Sequence, residues 1–199
     1  MGGKTKTCCG CVAPSARRRV LQAALGLGLA APFAKLGAAQ VQDPKNVPPQ
    51  PGDRFVFFAG DRDGEVIAPD DLPLGGPPAH AFPMDPASDV VRDGSMLNQV
   101  LLVRLDPAEL SPKTSENAAD GVVAYSAICT HQACPVTAWD EKRNRLYCNC
   151  HGSAFDPADA ARVVMGPATR RLPMLPIKAE EGFLVVAGEF TGRVGERKG

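Results

Sequence analysis

Apolar residues in this chain come in short runs, and glycine, proline or aspartate stands between them. No long stretch after residue 40 repeats its apolar positions with helical spacing, whereas short runs bounded by turn formers are the mark of strands. Residues 54–58 (Arg-Phe-Val-Phe-Phe) and 65–67 are predicted strands around a turn at 60–64, where Asp61 and Asp63 lie between two glycines. Residues 98–105 form the strongest strand pattern of the first half. Asp106-Pro107 then reads as a helix cap with proline at the first helical position, and Pro112 limits that helix to a turn or two. Residues 121–128 are a further apolar strand running directly into Cys129, and residues 177–178 and 183–187 form a hairpin across a turn at 180–182. Ten of the 19 prolines fall from Pro44 to Pro86, so that stretch is expected to run largely as surface loop, because proline interrupts both helices and central strands. There is no internal repeat.

Composition fits this picture. A chain of 199 residues allows one compact domain and an appendage, and 44% hydrophobic residues suffice for a core, while 20 Gly and 19 Pro argue against a helical bundle. The 22 basic and 22 acidic residues balance overall but not locally: Lys4, Lys6, Arg17, Arg18, Arg19 and Lys35 put six basic and no acidic residues in the first 39, leaving 16 basic against 22 acidic. The body is mildly acidic, which excludes a nucleic-acid surface and assigns the basic charge to a terminal segment. There the three arginines precede Val20-Leu21, an apolar run to Phe33, Lys35 and the small residues Gly37, Ala38 and Ala39. That order is the order of an export signal. The paired arginines resemble the twin-arginine signal, which moves proteins already folded, with Ala16 where Ser or Thr is usual. The apolar run is shorter than the roughly 20 residues that span a bilayer, so residues 1–39 are expected to be cleaved, with an anchor as the alternative. Cys8, Cys9 and Cys11 precede the arginines, where a lipoprotein cysteine would not be.

Chemistry concentrates in residues 129–151, which hold four of the seven cysteines and two of the three histidines. The order is Cys129-Thr130-His131-Gln132-Ala133-Cys134, then Cys148-Asn149-Cys150-His151-Gly152-Ser153. Pairing of residues 136–139 with 145–147 across a turn at 140–144 would bring both knuckles to one end of a hairpin. Six ligand-capable side chains are too many for one tetrahedral metal. Structural zinc on two Cys and two His is one reading. Each knuckle, however, mixes Cys with His, which suits two metals of unlike coordination, with two cysteines free to join as a disulfide outside the reducing cytoplasm.

At these residues the sequence resembles the Rieske iron-sulfur family. Cys-x-His, sixteen residues and Cys-x-x-His match its ligand pattern, and the resemblance covers about residues 125–172. It implies an all-β fold, a Rieske-type antiparallel β-sandwich over residues 40–199 with a small cluster-binding subdomain at about 125–172. It also implies a Rieske-type 2Fe-2S cluster with one iron on Cys129 and Cys148 and the other on His131 and His151. Cys134 and Cys150 match the disulfide pair of the family's exported branch. Gly166-Pro167-Ala168 resembles the loop that covers the cluster, and Ser153 stands where a hydroxyl donates to a cluster sulfur. Phe155 stands where high-potential members carry Tyr, Gln132 replaces an apolar residue associated with quinol docking, and Asn149 replaces a usual Pro. His80, in the proline-rich stretch, reads as a surface histidine; Trp139 and Tyr147 read as hairpin packing.

The resemblance therefore implies one-electron transfer by a periplasmic subunit of a larger oxidoreductase, exported folded, with membrane association through residues 1–39 as an option. Cys134-Pro135-Val136, Phe155-Asp156 and the twin-arginine pattern look like the small subunit of arsenite oxidase. The alternative is the iron-sulfur subunit of a quinol-oxidising cytochrome bc complex. A ferredoxin of a ring-hydroxylating dioxygenase is disfavoured by Cys134 and Cys150, and a non-redox zinc-binding adaptor is the remote alternative. Expected partners are a catalytic subunit or redox protein, with quinol or cytochrome c as the candidate donor or acceptor, and no nucleic acid.

Overall fold

The computed structural model describes residues 42–196. Residues 1–39, with the arginine motif, the apolar run and Cys8, Cys9 and Cys11, lie outside the described residues, so the export-signal expectation does too. Among the described residues no helix is long and apolar enough to cross a membrane.

The short apolar runs become eleven strands: β1 (Arg54–Phe57), β2 (Ala79–Asp85), β3 (Val90–Val91), β4 (Val100–Arg104), β5 (Val122–Ser126), β6 (Ala138–Asp140), β7 (Arg145–Cys148), β8 (Ser153–Asp156), β9 (Arg162–Met165), β10 (Ile177–Glu180) and β11 (Phe183–Val186). They make two antiparallel sheets. The larger has the order β10-β11-β1-β2-β4-β5 with β3 beside β2, and the smaller is the meander β6-β7-β8-β9.

Continuous apolar runs at β4 and β5 arise because these strands are buried on both faces. Successive side chains point to opposite sides of a strand. Leu101, Val103, Val123 and Tyr125 accordingly pack with Leu146 and Phe155 of the small sheet. Val100, Leu102, Val122 and Ala124 pack the other way, with Phe55, Ala81, Leu184 and Val186 of the same large sheet, which curls around this second core. Tyr125 is fully buried, and its hydroxyl donates to Pro157 O at 2.6 Å, fastening the two sheets beside the end of β8. Thr114, in the single turn α1 (Pro112–Ser115), adds a second fastening: its hydroxyl donates to Ala158 O at 2.9 Å and accepts from Ala160 N–H at 2.8 Å.

Three expectations are corrected. Residues 65–67 contribute one isolated bridge, Val56 to Val66, rather than a strand. The proline-rich stretch, expected to be largely loop outside 54–58 and 65–67, also holds β2, which lies centrally between β1 and β4. Pro83 is tolerated there because its pairing with β4 ends at Ala81 and pairing with β3 begins at Met84, so the missing N–H falls where the partner strand changes. His80 is consequently half-buried in β2 opposite Leu101 rather than a surface residue, and burial lowers its pKa below the ordinary histidine value. Elsewhere pattern and structure agree: Asp106 caps a short turn with Pro107 first, its carboxylate accepting from Ala108 N–H at 2.9 Å, and Pro112 itself opens α1.

Candidate metal centre

In the predicted hairpin, β6 and β7 pair Ala138 with Tyr147, Trp139 with Leu146 and Asp140 with Arg145. Residues 129–134 lie just beyond β5, and Cys148 is the last residue of β7 with 149–152 after it, so both knuckles emerge from strand ends anchored in the shared core. They close alike. Ala133 N–H donates to Cys129 O at 3.1 Å, and Gly152 N–H donates to Cys148 O at 3.0 Å. Ala133 and Gly152 both have positive φ, at 55° and 76°. Glycine adopts this without cost, while alanine is held there by the added bond from Cys129 N–H to Cys134 O at 2.7 Å.

These turns bring together all six residues singled out in the sequence. Cys134 and Cys150 form a disulfide, with Cα atoms 6.5 Å apart, which joins the knuckles covalently. Cys129 and Cys148 are free thiols, each about 1% exposed. The Cys148 sulfur lies within 4.8 Å of both disulfide sulfurs. His131 and His151 stand with ring centroids 4.8 Å apart and planes at 83°. His131 is half-buried and His151 exposed, so thiols lie on the inner side and imidazoles toward solvent.

The covering loop is built against the second knuckle. Gly166 has φ +87°, and a Cβ there would stand 2.5 Å from Gly152 O and from Ser153 Cα. Ser153 is fully buried and accepts from Ala168 N–H at 3.1 Å, tying the loop to β8. Phe155 shares its strand face and sits in the core cluster that includes Cys129 and Cys148. Gln132 and Asn149 are exposed on the knuckles. Trp139 packs against the core as a hairpin residue, lying over Gly76. Gly166→Ala should cost about 2 kcal/mol, since the neighbouring atoms are backbone and the φ is strained; thermal or urea unfolding measures it, and an unchanged midpoint would show that the loop shifts freely.

Two features test whether a metal cofactor fits. Burial pushes the Cys129 thiol above its ordinary pKa and nearby Cys148 adds to the rise, opposed by hydrogen bonds from the His131 backbone and Ser153. A thiol raised in this way is a poor thiolate unless a cation lies next to it. Among the described residues His131 Nδ1 is buried without a hydrogen-bond partner, a costly state for a protein nitrogen but the right one for a metal ligand. The donor set thus fits a metal group, and the disulfide removes Cys134 and Cys150 from it.

Residues 82–176 match the Rieske 2Fe-2S domain family. The chain contains a Rieske domain. Its cofactor is a Rieske-type 2Fe-2S cluster. A cytochrome bc1 complex Rieske iron-sulfur subunit of Streptomyces lividans is 42% identical over 98 residues, covering 48% of this chain and 58% of the relative. A putative respiratory nitrate reductase Rieske subunit of Haloferax mediterranei is 42% identical over 106 residues, covering 52% of this chain and 47% of the relative. Among solved structures, the soluble domain of Rieske protein II from Sulfolobus acidocaldarius aligns with TM-score 0.37 and 23% identity, over 48% of this chain and 66% of that one. The matched part of this chain spans from 24% to 58% of the length of the curated relatives it matches.

Sequence reasoning missed Thr130 and Arg170. Thr130, nearly buried between Cys129 and His131, donates its hydroxyl to Arg170 O at 2.6 Å. Its place inside the first knuckle was the only signal available.

Proposed function

We propose that this Rieske domain carries one electron at a time as a subunit of a larger oxidoreductase, with Cys129 and Cys148 holding one iron and His131 and His151 the other. The observation that carries the reading is the sorting of six donors: two buried thiols, two outward imidazoles and two cysteines spent on a disulfide. When bound, the cluster supplies a one-electron couple. Four protein ligands leave no open position for substrate, unlike a catalytic metal site. The cysteine side faces the core and excludes water, while exposed His151 and half-buried His131 present the surface at which a redox partner comes within reach.

Residues 40–199 act as the Rieske domain and about 125–172 as its cluster-binding part, with residues 1–39 directing export of the folded protein to the periplasm, cleaved or retained as an anchor. Subunit status is supported by relatives named as parts of cytochrome bc1 and nitrate reductase assemblies. The second reading is the quinol-oxidising bc role, favoured by the 42% identity to the Streptomyces subunit and opposed by polar, exposed Gln132 beside His131. Candidate partners are a catalytic subunit, quinol and cytochrome c, separable by identifying what co-purifies from native membranes and periplasm. Iron, sulfide and zinc content with visible and EPR spectra of the purified protein test the core claim; a colourless zinc protein overturns it.

Ser153 and Phe155 tune the couple in this reading, with Gly166 and Pro167 covering it. Ser153 already accepts from Ala168 N–H, so its own hydrogen is the one it donates to sulfur, that of the neighbouring Cys129 or of the cluster. Hydrogen bonds favour the more negative reduced state. Ser153→Ala should lower the reduction potential by about 40 mV, the equivalent of roughly 1 kcal/mol, and Phe155→Tyr should raise it similarly. Protein-film voltammetry reads both, and an unchanged potential in Phe155→Tyr would place the added hydroxyl away from the cluster.

A further inference from the structure

Residues 191–196 run along the first knuckle. Gly195 is buried with φ +72°, and a Cβ on it would lie 3.4 Å from Ile128 Cγ2, 3.5 Å from Ala133 Cβ and 3.9 Å from Leu97 Cδ2. A side chain at this position would therefore meet the residue before Cys129 and the residue before Cys134. The segment is pinned at both ends. Thr191 N–H donates to Met174 O at 2.8 Å while Met174 N–H donates to the Thr191 hydroxyl at 3.0 Å. Arg170 donates from Nη1 to Arg193 O at 3.2 Å and from Nη2 to Gly195 O at 2.5 Å.

The same arginine is tied to the knuckle by its own carbonyl, which accepts from the Thr130 hydroxyl. One residue thus holds the segment with its side chain and the knuckle with its backbone, two positions beyond the covering loop. A planar guanidinium that stays charged suits this task, because its fork spaces two donors to meet two carbonyls of one segment. Residues 191–196 lie outside the span 82–176 that matches the family.

We propose that Arg170 is a positioning residue, clamping residues 191–196 as a strap over the knuckle that bears Cys129 and His131 and so setting how firmly that knuckle keeps its iron ligands. This rests on the ligand reading above.

The test uses the full chain with cluster loaded. Arg170→Met keeps the side chain's length and removes its donors; Gly195→Val strains the positive φ and crowds Ile128 and Ala133 without changing charge. Each should speed the release of iron from the dithionite-reduced protein to the ferrous chelator bathophenanthroline, followed as the coloured chelate forms, about tenfold, the scale of one charge-assisted hydrogen bond. Both should shift the EPR spectrum of the reduced protein in the same sense, which loss of a charge alone would not produce in Gly195→Val. The double variant should release iron no faster than the faster single one, because either change already releases the strap. Arg170→Lys, keeping one donor group, should fall between, and it replaces Arg170→Met under the same criteria if the latter does not fold. Wild-type rates and spectra in either single variant, or rates that multiply in the double variant, overturn the strap alone. A wild-type protein without a 2Fe-2S signal overturns the ligand reading and the strap together.

Discussion

In His131→Ala the native 2Fe-2S absorption and EPR signals are expected to be absent from a protein that keeps its β-rich circular dichroism. His131 is half-buried on a knuckle and belongs to neither large apolar cluster, so truncating it leaves the packing of both sheets in place. It does remove the buried Nδ1 that none of the described residues satisfies. In the proposed ligand set, the iron would then keep one of its two imidazoles and stand open to water on the exposed side, where His151 alone remains. His80→Ala is the control, because His80 lies in β2 opposite Leu101 and should keep the cluster. Native spectra in His131→Ala would refute the assignment of ligands, whatever the control does.

Cys134→Ser is expected to load a cluster that is then lost readily, with the protein destabilised by ~3 kcal/mol in the chain-entropy estimate for a short closed loop. The disulfide spans 16 residues and joins the two knuckles directly, so its loss frees each to move on its own strand. Neither sulfur is a ligand in this reading, which is why loading should survive. Cys134→Ser/Cys150→Ser should behave like the single variant, since one substitution already breaks the bond. Chelator bleaching and urea unfolding measure the two effects. Complete failure to load, matching His131→Ala, would instead make one of these cysteines a ligand.

How much of this could be read from the chain alone varies with how local the cause is. Runs such as residues 98–105 and 121–128 declared their strands because burial on both faces requires consecutive apolar residues, here 100–103 and 122–125. The two Cys/His knuckles stood out because metal chemistry restricts both residue type and spacing, and the hairpin between them needs only a turn flanked by pairing residues. Strand β2 was not legible. Proline normally excludes a central strand, and only the handover from β4 to β3 at Pro83 makes it acceptable, a fact belonging to three strands distant in sequence.

By itself the sequence determined an all-β chain, six metal-capable residues at one hairpin end and a basic, apolar segment ahead of an acidic body. The tertiary structure decided which sulfurs pair: Cys134 with Cys150 meet, while Cys129 and Cys148 remain free in the core. It decided as well that Gly166 must be glycine, because backbone atoms of Gly152 and Ser153 occupy the space of a Cβ, and that Arg170 reaches residues 193–195. Spacing along a chain fixes which residues can share a turn. Sulfur pairing, close backbone approach and a clamp across 25 residues depend on distances that exist only once both sheets have packed.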